Sequence, residues 1–152
     1  MTHIRLARPS DRETLAAMRA TLWPDGDVAE HARELDALLG GTGATVYPYT
    51  ILVAETPEGD LAGFADVTLR SYAEGCDPSR PVGYLEGWFV REDLRRQRIG
   101  AALLQAAEQW SRDQGCIEMG SDTWLDNELS QRAHERLGFE EADRCVHYRK
   151  TL

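Results

Sequence analysis

Cysteine is scarce and unpatterned in this chain. Cys76, Cys116 and Cys145 are odd in number and show no C-x-x-C spacing, which argues against a disulfide framework or a zinc site and leaves buried free thiols as the expectation. Histidine is equally thin. His3, His31, His134 and His147 lack the i, i+4 or cysteine-paired spacing of metal ligands, and none stands in a nucleophile motif such as G-x-S-x-G. Neither a metal nor a covalent triad is expected. No apolar run approaches the roughly 20 residues of a membrane span, and Met1-Thr2-His3-Ile4-Arg5 does not read as a signal sequence, so a cytoplasmic protein without membrane contact is expected. Positive charge is in deficit as well. Against 26 Asp and Glu stand 17 Lys and Arg, a net charge of −9 that repels phosphate backbones and anionic lipid and excludes nucleic acid as a natural partner. The same charge attracts a polycationic ligand, although acidity also serves solubility. Repeats, linkers and low-complexity stretches are missing, and the 42% hydrophobic content of 152 residues suffices for one packed core, so a single domain over 1–152 is expected.

What is present is a succession of short periodic segments. Residues 3–7 alternate with period two as a first strand, and Ser10-Asp11-Arg12-Glu13 reads as a capping box opening a helix to about Leu22. Trp23-Pro24-Asp25-Gly26-Asp27 breaks it. Val28, Ala32, Leu35 and Leu39 then mark a second amphipathic helix with an acidic opposite face, ended by Gly40-Gly41-Thr42-Gly43, which reads as a flexible connection. Thr50-Ile51-Leu52-Val53-Ala54 is apolar on both faces, as an internal strand is, and Pro57-Glu58-Gly59-Asp60 turns it into a hairpin with residues 61–70. Residues 82–90 form another strand, in which Glu86 is an isolated carboxylate among apolar neighbours. A group of that kind is either paired structurally or exposed in a cleft. Ile99, Leu103, Ala106 or Ala107, and Trp110 mark a third helix ended by Gly115; residues 116–121 read as a strand, Leu129, Ala133 and Leu137 as a fourth helix begun near Asp126, and 139–149 as one bent strand or two. The order predicts an α/β domain of the α+β mixed-sheet kind, a central mixed sheet flanked by about four helices.

Chemistry concentrates where Leu85-Glu86-Gly87-Trp88-Phe89-Val90 runs through a basic turn, Arg95-Arg96-Gln97-Arg98, into the helix Ile99-Gly100-Ala101-Ala102. The first amides of a helix have no intrahelical acceptor, and its dipole adds roughly half a positive charge there, so this turn suits a pyrophosphate. The alternative is a merely solvated basic turn.

The strand, turn and helix resemble the acetyl-CoA motif of the GNAT acetyltransferases, Arg or Gln, two residues, Gly, one residue, then Gly or Ala, which aligns with Arg95 through Gly100. Arg98 departs from it, standing where glycine is usual. A narrower resemblance, to the aminoglycoside 6′-N-acetyltransferases, runs through Leu22-Trp23-Pro24, Gly63-Phe64-Ala65-Asp66, Tyr72, Gly75-Cys76-Asp77, Leu85-Glu86-Gly87, Ser121-Asp122-Thr123, Asn127, Ser130-Gln131, His134, Leu137-Gly138-Phe139 and Tyr148-Arg149-Lys150. It implies a GNAT-like acyltransferase fold, acetyl-CoA as cosubstrate without a metal, a small polycationic aminoglycoside as acceptor, direct attack of the 6′-amine in a ternary complex, and a homodimer.

The resemblance also implies roles. Trp88, Phe89 and Val90 hold the thioester and pantetheine through main chain; Arg96, Gln97, Arg98, Ile99, Gly100 and Ala101 hold the pyrophosphate; Asn127 touches the pantetheine arm. Asp122 binds the substrate ammonium and accepts its proton, against the alternative of a cap or turn. Glu86 contacts substrate, against a pair with a nearby arginine. Trp23 and Tyr72 line the sugar site, against core packing. Asp143 reaches substrate, from the same chain or a partner, against a solvated edge. Tyr148 protonates the leaving thiolate, against packing. Two further readings stay open: a GNAT enzyme acting on a polyamine, amino sugar or protein N-terminus, and a non-catalytic acetyl-CoA-binding module.

Overall fold

The computed structural model describes residues 1–41 and 47–152. Five strands lie in the order of the chain: β1 (His3–Leu6), β2 (Tyr49–Glu55), β3 (Leu61–Arg70), β4 (Val82–Val90) and β5 (Met119–Ser121). The first three pairings are antiparallel and the last, β4 with β5, is parallel, so the sheet is mixed as the sequence predicts. Helices α1 (Arg12–Leu22) and α2 (Val28–Leu39) cover one face, and α3 (Ile99–Asp113) the other; α4 (Glu128–Arg136) follows β5.

The two faces are read directly from β2. Ile51 and Val53 join Leu15, Ala16, Leu35 and Phe64 beneath α1 and α2, while Leu52 and Ala54 join Leu85, Leu103, Leu104 and Ala107 beneath α3. Period-two alternation of apolar residues on both sides makes this an internal strand buried twice. Across β3 and β4 the register shifts between Asp66 and Val67: Asp66 stands opposite Gly87 and Val67 opposite Leu85, so Glu86 is the extra residue of a β-bulge.

Three local expectations are corrected. Ser10 caps nothing; residues Pro9–Asp11 form a 3-10 turn in which the Asp11 carboxylate accepts the Arg8 N–H at 2.7 Å and pairs with Arg5, which also binds Glu55. That cross-element ion pair draws Asp11, rather than Ser10, into the turn. The fifth strand begins at Met119 instead of 116, because Gly115 takes a positive φ of 87° and Cys116 still donates to Ser111 O in the helix-ending turn. Residues 140–152 form no strand: they are exposed, and beyond Phe139 no backbone-to-backbone hydrogen bond is made among the described residues. A strand needs an edge to pair with, and this segment takes up none of the sheet's open edges among the described residues. The glycine cluster after α2 falls partly in 42–46, outside the described residues. Of the thiols only Cys116 is buried; Cys76 is half-buried and Cys145 exposed, all three free.

Candidate active site

Strands β4 and β5 pair only through Gly83–Met119, Tyr84–Gly120 and Leu85–Ser121. Beyond Leu85, β4 continues to Val90 paired with β3 alone, so Trp88, Phe89 and Val90 have one strand edge without a strand partner among the described residues. Parallel strands that part in this way leave open N–H and C=O groups, which an extended amide-bearing ligand can take up. Trp88 and Phe89 also pack, the first toward α3 and the second against Phe64 at 5.9 Å, so their main-chain and side-chain roles are compatible.

The basic turn sits at the same end. Arg98 caps α3 with φ 64°, and Arg96 has φ 65°, both left-handed. The backbone thus adopts the conformation that the family's glycine favours, at a cost of about 1–2 kcal/mol for each side chain so placed. The N–H groups of Arg98, Ile99, Gly100 and Ala101 meet no acceptor among the described residues, and Arg95, Arg96, Gln97 and Arg98 are exposed. Alternating left-handed residues ahead of a helix start form a concave set of donors suited to phosphate oxygens. The Trp88 indole fixes this turn against β4, donating through Nε1 to Gly100 O at 3.1 Å; a Cβ on Gly100 would come within 3.0 Å of the same ring. Arg95 is used internally, its Nε donating to Val90 O at 3.1 Å.

On the other side of the parting strands lies an acidic and aromatic group. Trp23, at the end of α1, lies against the bulge: a Cβ on Gly87 would be 2.5 Å from its ring, so only glycine admits the indole there. Glu86 is held by a bidentate pair with Arg70, 2.9 and 2.7 Å, and remains partly exposed, so paired and cleft-lining descriptions both apply. The Arg70 guanidinium lies 3.5 Å above the Tyr84 ring centroid. Asp122, exposed just after β5, adds its charge nearby: the Tyr84 phenol is pushed up to about 12 by burial first and by Asp122 next. Asp122 does not cap α4; Asn127 does, its side-chain oxygen accepting Ser130 N–H at 3.1 Å. Tyr72 is half exposed, its phenol held above its usual range first by Glu74 and also by the charge of Asp143. Asp143 therefore stands near Tyr72 of its own chain, where Ala142 also approaches Gly75. Tyr148 lies apart on the C-terminal segment, 92% exposed and in no side-chain hydrogen bond among the described residues. Among the described residues, no cluster of three or more His, Cys, Asp or Glu could hold a metal ion.

Sequence reasoning missed Arg70, Tyr84 and the contact of Ser121 with His134. No local spacing signals Arg70 beside Glu86, since the pair crosses two strands. Gly120 was a usable signal: a Cβ there would be 2.9 Å from Ala73 and 3.0 Å from the Tyr84 ring, a close approach that marks a packed seam.

A family model described as acetyltransferase (GNAT) family matches residues 14–139. The chain is 42% identical to an aminoglycoside N(6′)-acetyltransferase type 1 of Klebsiella aerogenes, over 98% of this chain and 96% of that one. A protein of the same description from Stenotrophomonas maltophilia is 39% identical, over 98% and 93%. Among solved structures, AAC(6′)-Iy bound to a bisubstrate analogue, CoA-S-monomethyl-acetylneamine, superposes with a TM-score of 0.88 at 34% identity, over 100% of this chain and 99% of that one. Sequence, sheet topology and the parted strands agree, and the chain belongs to the acetyltransferase (GNAT) family.

Proposed function

We propose that this protein transfers the acetyl group of acetyl-CoA to the 6′-amine of aminoglycoside antibiotics. The observation that carries the reading is the meeting, at one parting of two strands, of a donor-rich basic turn on one side with Glu86, Asp122 and Trp23 on the other. Relatives at about 40% identity over nearly the whole chain carry the corresponding name. The residues fit the cosubstrate: the open amides of Arg98, Ile99, Gly100 and Ala101, with Arg96 and Gln97, receive the pyrophosphate, while the open edge at Trp88, Phe89 and Val90 takes the pantetheine amides and thioester. Asn127 keeps its amide nitrogen for the pantetheine arm while its oxygen caps α4.

An aminoglycoside amine arrives protonated, and its lone pair must be freed before it can attack. Glu86 and Asp122 bind ammonium groups, and Asp122 takes the proton directly or through water. Arg70 is the internal cation that an incoming ammonium displaces from Glu86. Trp23 and Tyr72 offer ring faces to sugar and cation, with Asp143 beside Tyr72. An N–H of β4 then stabilises the oxyanion as the tetrahedral carbon forms.

The test is thiol release from acetyl-CoA with kanamycin or tobramycin as acceptor, against 6′-hydroxyl aminoglycosides and spermidine. Release that requires the 6′-amine supports the reading. Release with spermidine alone moves it to a polyamine enzyme, and binding without release to a non-catalytic module. Arg96→Glu is expected to weaken acetyl-CoA binding about tenfold in calorimetry; unchanged affinity would leave the turn as a solvated surface.

The reading includes one catalytic domain over the 152 residues, a cytoplasmic location where acetyl-CoA is supplied, and a homodimer. Residues 140–152 support the last: Val146 (68%), Tyr148 (92%) and Leu152 (110%) are exposed on a backbone that lacks hydrogen-bond partners among the described residues, as expected of an arm that pairs with a second copy. In sedimentation the full chain is expected at twice the monomer mass, and a chain ending after Phe139 at the monomer mass. A full chain that sediments as a monomer removes the dimer.

A further inference from the structure

Ser121, the last residue of β5, holds its Oγ 2.8 Å from Nε2 of His134 and 3.2 Å from Leu85 O. His134 lies on α4, and its other nitrogen, Nδ1, is 2.8 Å from the Ser130 carbonyl oxygen and 3.3 Å from Ser130 Oγ. A carbonyl oxygen can only accept, so the hydrogen of the neutral ring belongs on Nδ1 and Nε2 presents a lone pair to the Ser121 hydroxyl, whose one hydrogen is shared between Nε2 at 2.8 Å and the more distant Leu85 O at 3.2 Å. The ring is fixed edge-on between Trp88 and Phe139, with centroids 5.6 and 5.1 Å away. A hydroxyl bonded to an imidazole whose far nitrogen is oriented by a third group is the arrangement that moves protons in acyl transfer. It stands where transfer must occur, for Leu85–Ser121 is the last rung before the strands part, and Asp122 is the next residue.

The reading given above assigns Asp122 to the proton lost before attack. Within the chain it leaves the departing sulfur without a donor, since Tyr148 is on the exposed C-terminal segment.

We propose that Ser121 and His134 form a proton relay that carries the second proton of the amine to the departing sulfur. This rests on the cleft holding acetyl-CoA. Attack by the neutral amine forms the C–N bond and leaves a protonated nitrogen and an oxyanion on one tetrahedral carbon. The nitrogen proton passes to Ser121 Oγ while the hydroxyl proton moves to His134 Nε2. The imidazolium returns a proton through the same hydroxyl to sulfur as the C–S bond breaks and the carbonyl re-forms. One N–H is lost, one S–H is gained, and both side chains end as they began.

Ser121→Ala, His134→Gln and the double variant of the full chain test the relay by two readouts, thiol release with saturating kanamycin and calorimetric acetyl-CoA affinity. Each single variant is expected to lower kcat about 10²-fold, with affinity within about twofold of the wild type. The double variant should be no slower than the slower single one, because groups that act as a unit are not additive. His134→Ala should regain rate with added imidazole. A kcat within threefold of wild type in both single variants overturns the relay, and so does a fall in kcat matched by lost acetyl-CoA affinity, which marks simple packing against Trp88. Should His134→Gln fail to fold, Ser121→Ala, which removes one oxygen atom, decides alone. Wild-type protein that neither binds acetyl-CoA nor releases thiol sinks the acetyltransferase reading itself, a result separate from any variant effect.

Discussion

Asp122→Asn is expected to lower turnover about 10²-fold or more, the range for losing a general base. The substitution keeps the size and planarity of the side chain but removes its charge and its capacity to take a proton. Asp122 is exposed immediately after β5, beside the cleft, and its charge is felt by the Tyr84 phenol across the strand pair. Glu86 cannot replace it cheaply, because its oxygens are paired with Arg70 and, once Arg70 is displaced, with an ammonium of the acceptor. Two effects are therefore separable. Glu86→Gln should act mainly on the KM of the aminoglycoside, through one fewer ammonium contact, whereas Asp122→Asn should act on kcat as well. Thiol-release kinetics over a range of acceptor concentrations read both. Near-normal kcat in folded Asp122→Asn would remove the proton-accepting assignment.

The largest stability effect is expected from Arg19→Met. Arg19 is buried and gives two hydrogen bonds to Asp66 Oδ2, at 3.1 and 2.6 Å, while Asp66 is fully buried. Nη2 also donates to the Tyr49 hydroxyl at 3.1 Å, and Asp66 Oδ1 finds no partner among the described residues. Removing one member of a buried pair leaves an uncompensated charge and costs about 3–5 kcal/mol, a large share of the roughly 5–15 kcal/mol that holds a domain folded.

The loss should depend on pH, with a definite sign. Burial already pushes the Asp66 carboxyl up, against the pull first of Arg19 and then of the Tyr49 hydroxyl, and without Arg19 the larger of the two opposing pulls is gone. A native carboxyl with a pKa above its unfolded value of about 3.9 binds more protons folded than unfolded, so its stability contribution falls as pH rises through the native value. Urea denaturation of the variant should therefore show a smaller deficit at pH 5 than at pH 8. A deficit below 1 kcal/mol at both would show the pair to be dispensable. The same variant should raise the aminoglycoside KM, because the Arg19 guanidinium lies 5.2 Å from the Trp23 ring centroid and Asp66 faces Gly87 at the bulge.

The parts legible in the sequence are those whose cause is local. Alternation in β2 named both faces of the sheet, the spacing of Ile99, Leu103 and Trp110 named α3, and the turn from Arg95 to Gly100 read as a candidate anion site with a solvated basic turn as its alternative. Whatever depended on a distant partner was not legible. Arg70 reaches Glu86 only because β3 and β4 run antiparallel with one extra residue between them. His134 reaches Ser121 only because α4 returns to the end of β5. Residues 139–149 read as one bent strand or two, but beyond Phe139 the segment pairs with no edge of the sheet among the described residues. Asp11 replaced Ser10 in its turn because Arg5, bridging to Glu55 on β2, draws the carboxylate toward β1.

The extra residue at Glu86 acts on β4 as a frameshift acts on a message. Ahead of it the odd-numbered Gly83 and Leu85 look toward α3; past it the even-numbered Trp88 and Val90 do, and Phe89 turns to the opposite layer. Deleting that single position would restore strict alternation without moving the residues past it: Trp88 would still look toward α3 and donate to Gly100 O, and Phe89 would still lie against Phe64. What would go is the carboxylate at position 86 and its pair with Arg70, while the ladder closed up on either side. The bulge thus lets β4 carry one carboxylate at the parting of the strands without disturbing either apolar layer, and a chain shortened by this one residue should fold with the basic turn still anchored and a weaker hold on a cationic acceptor.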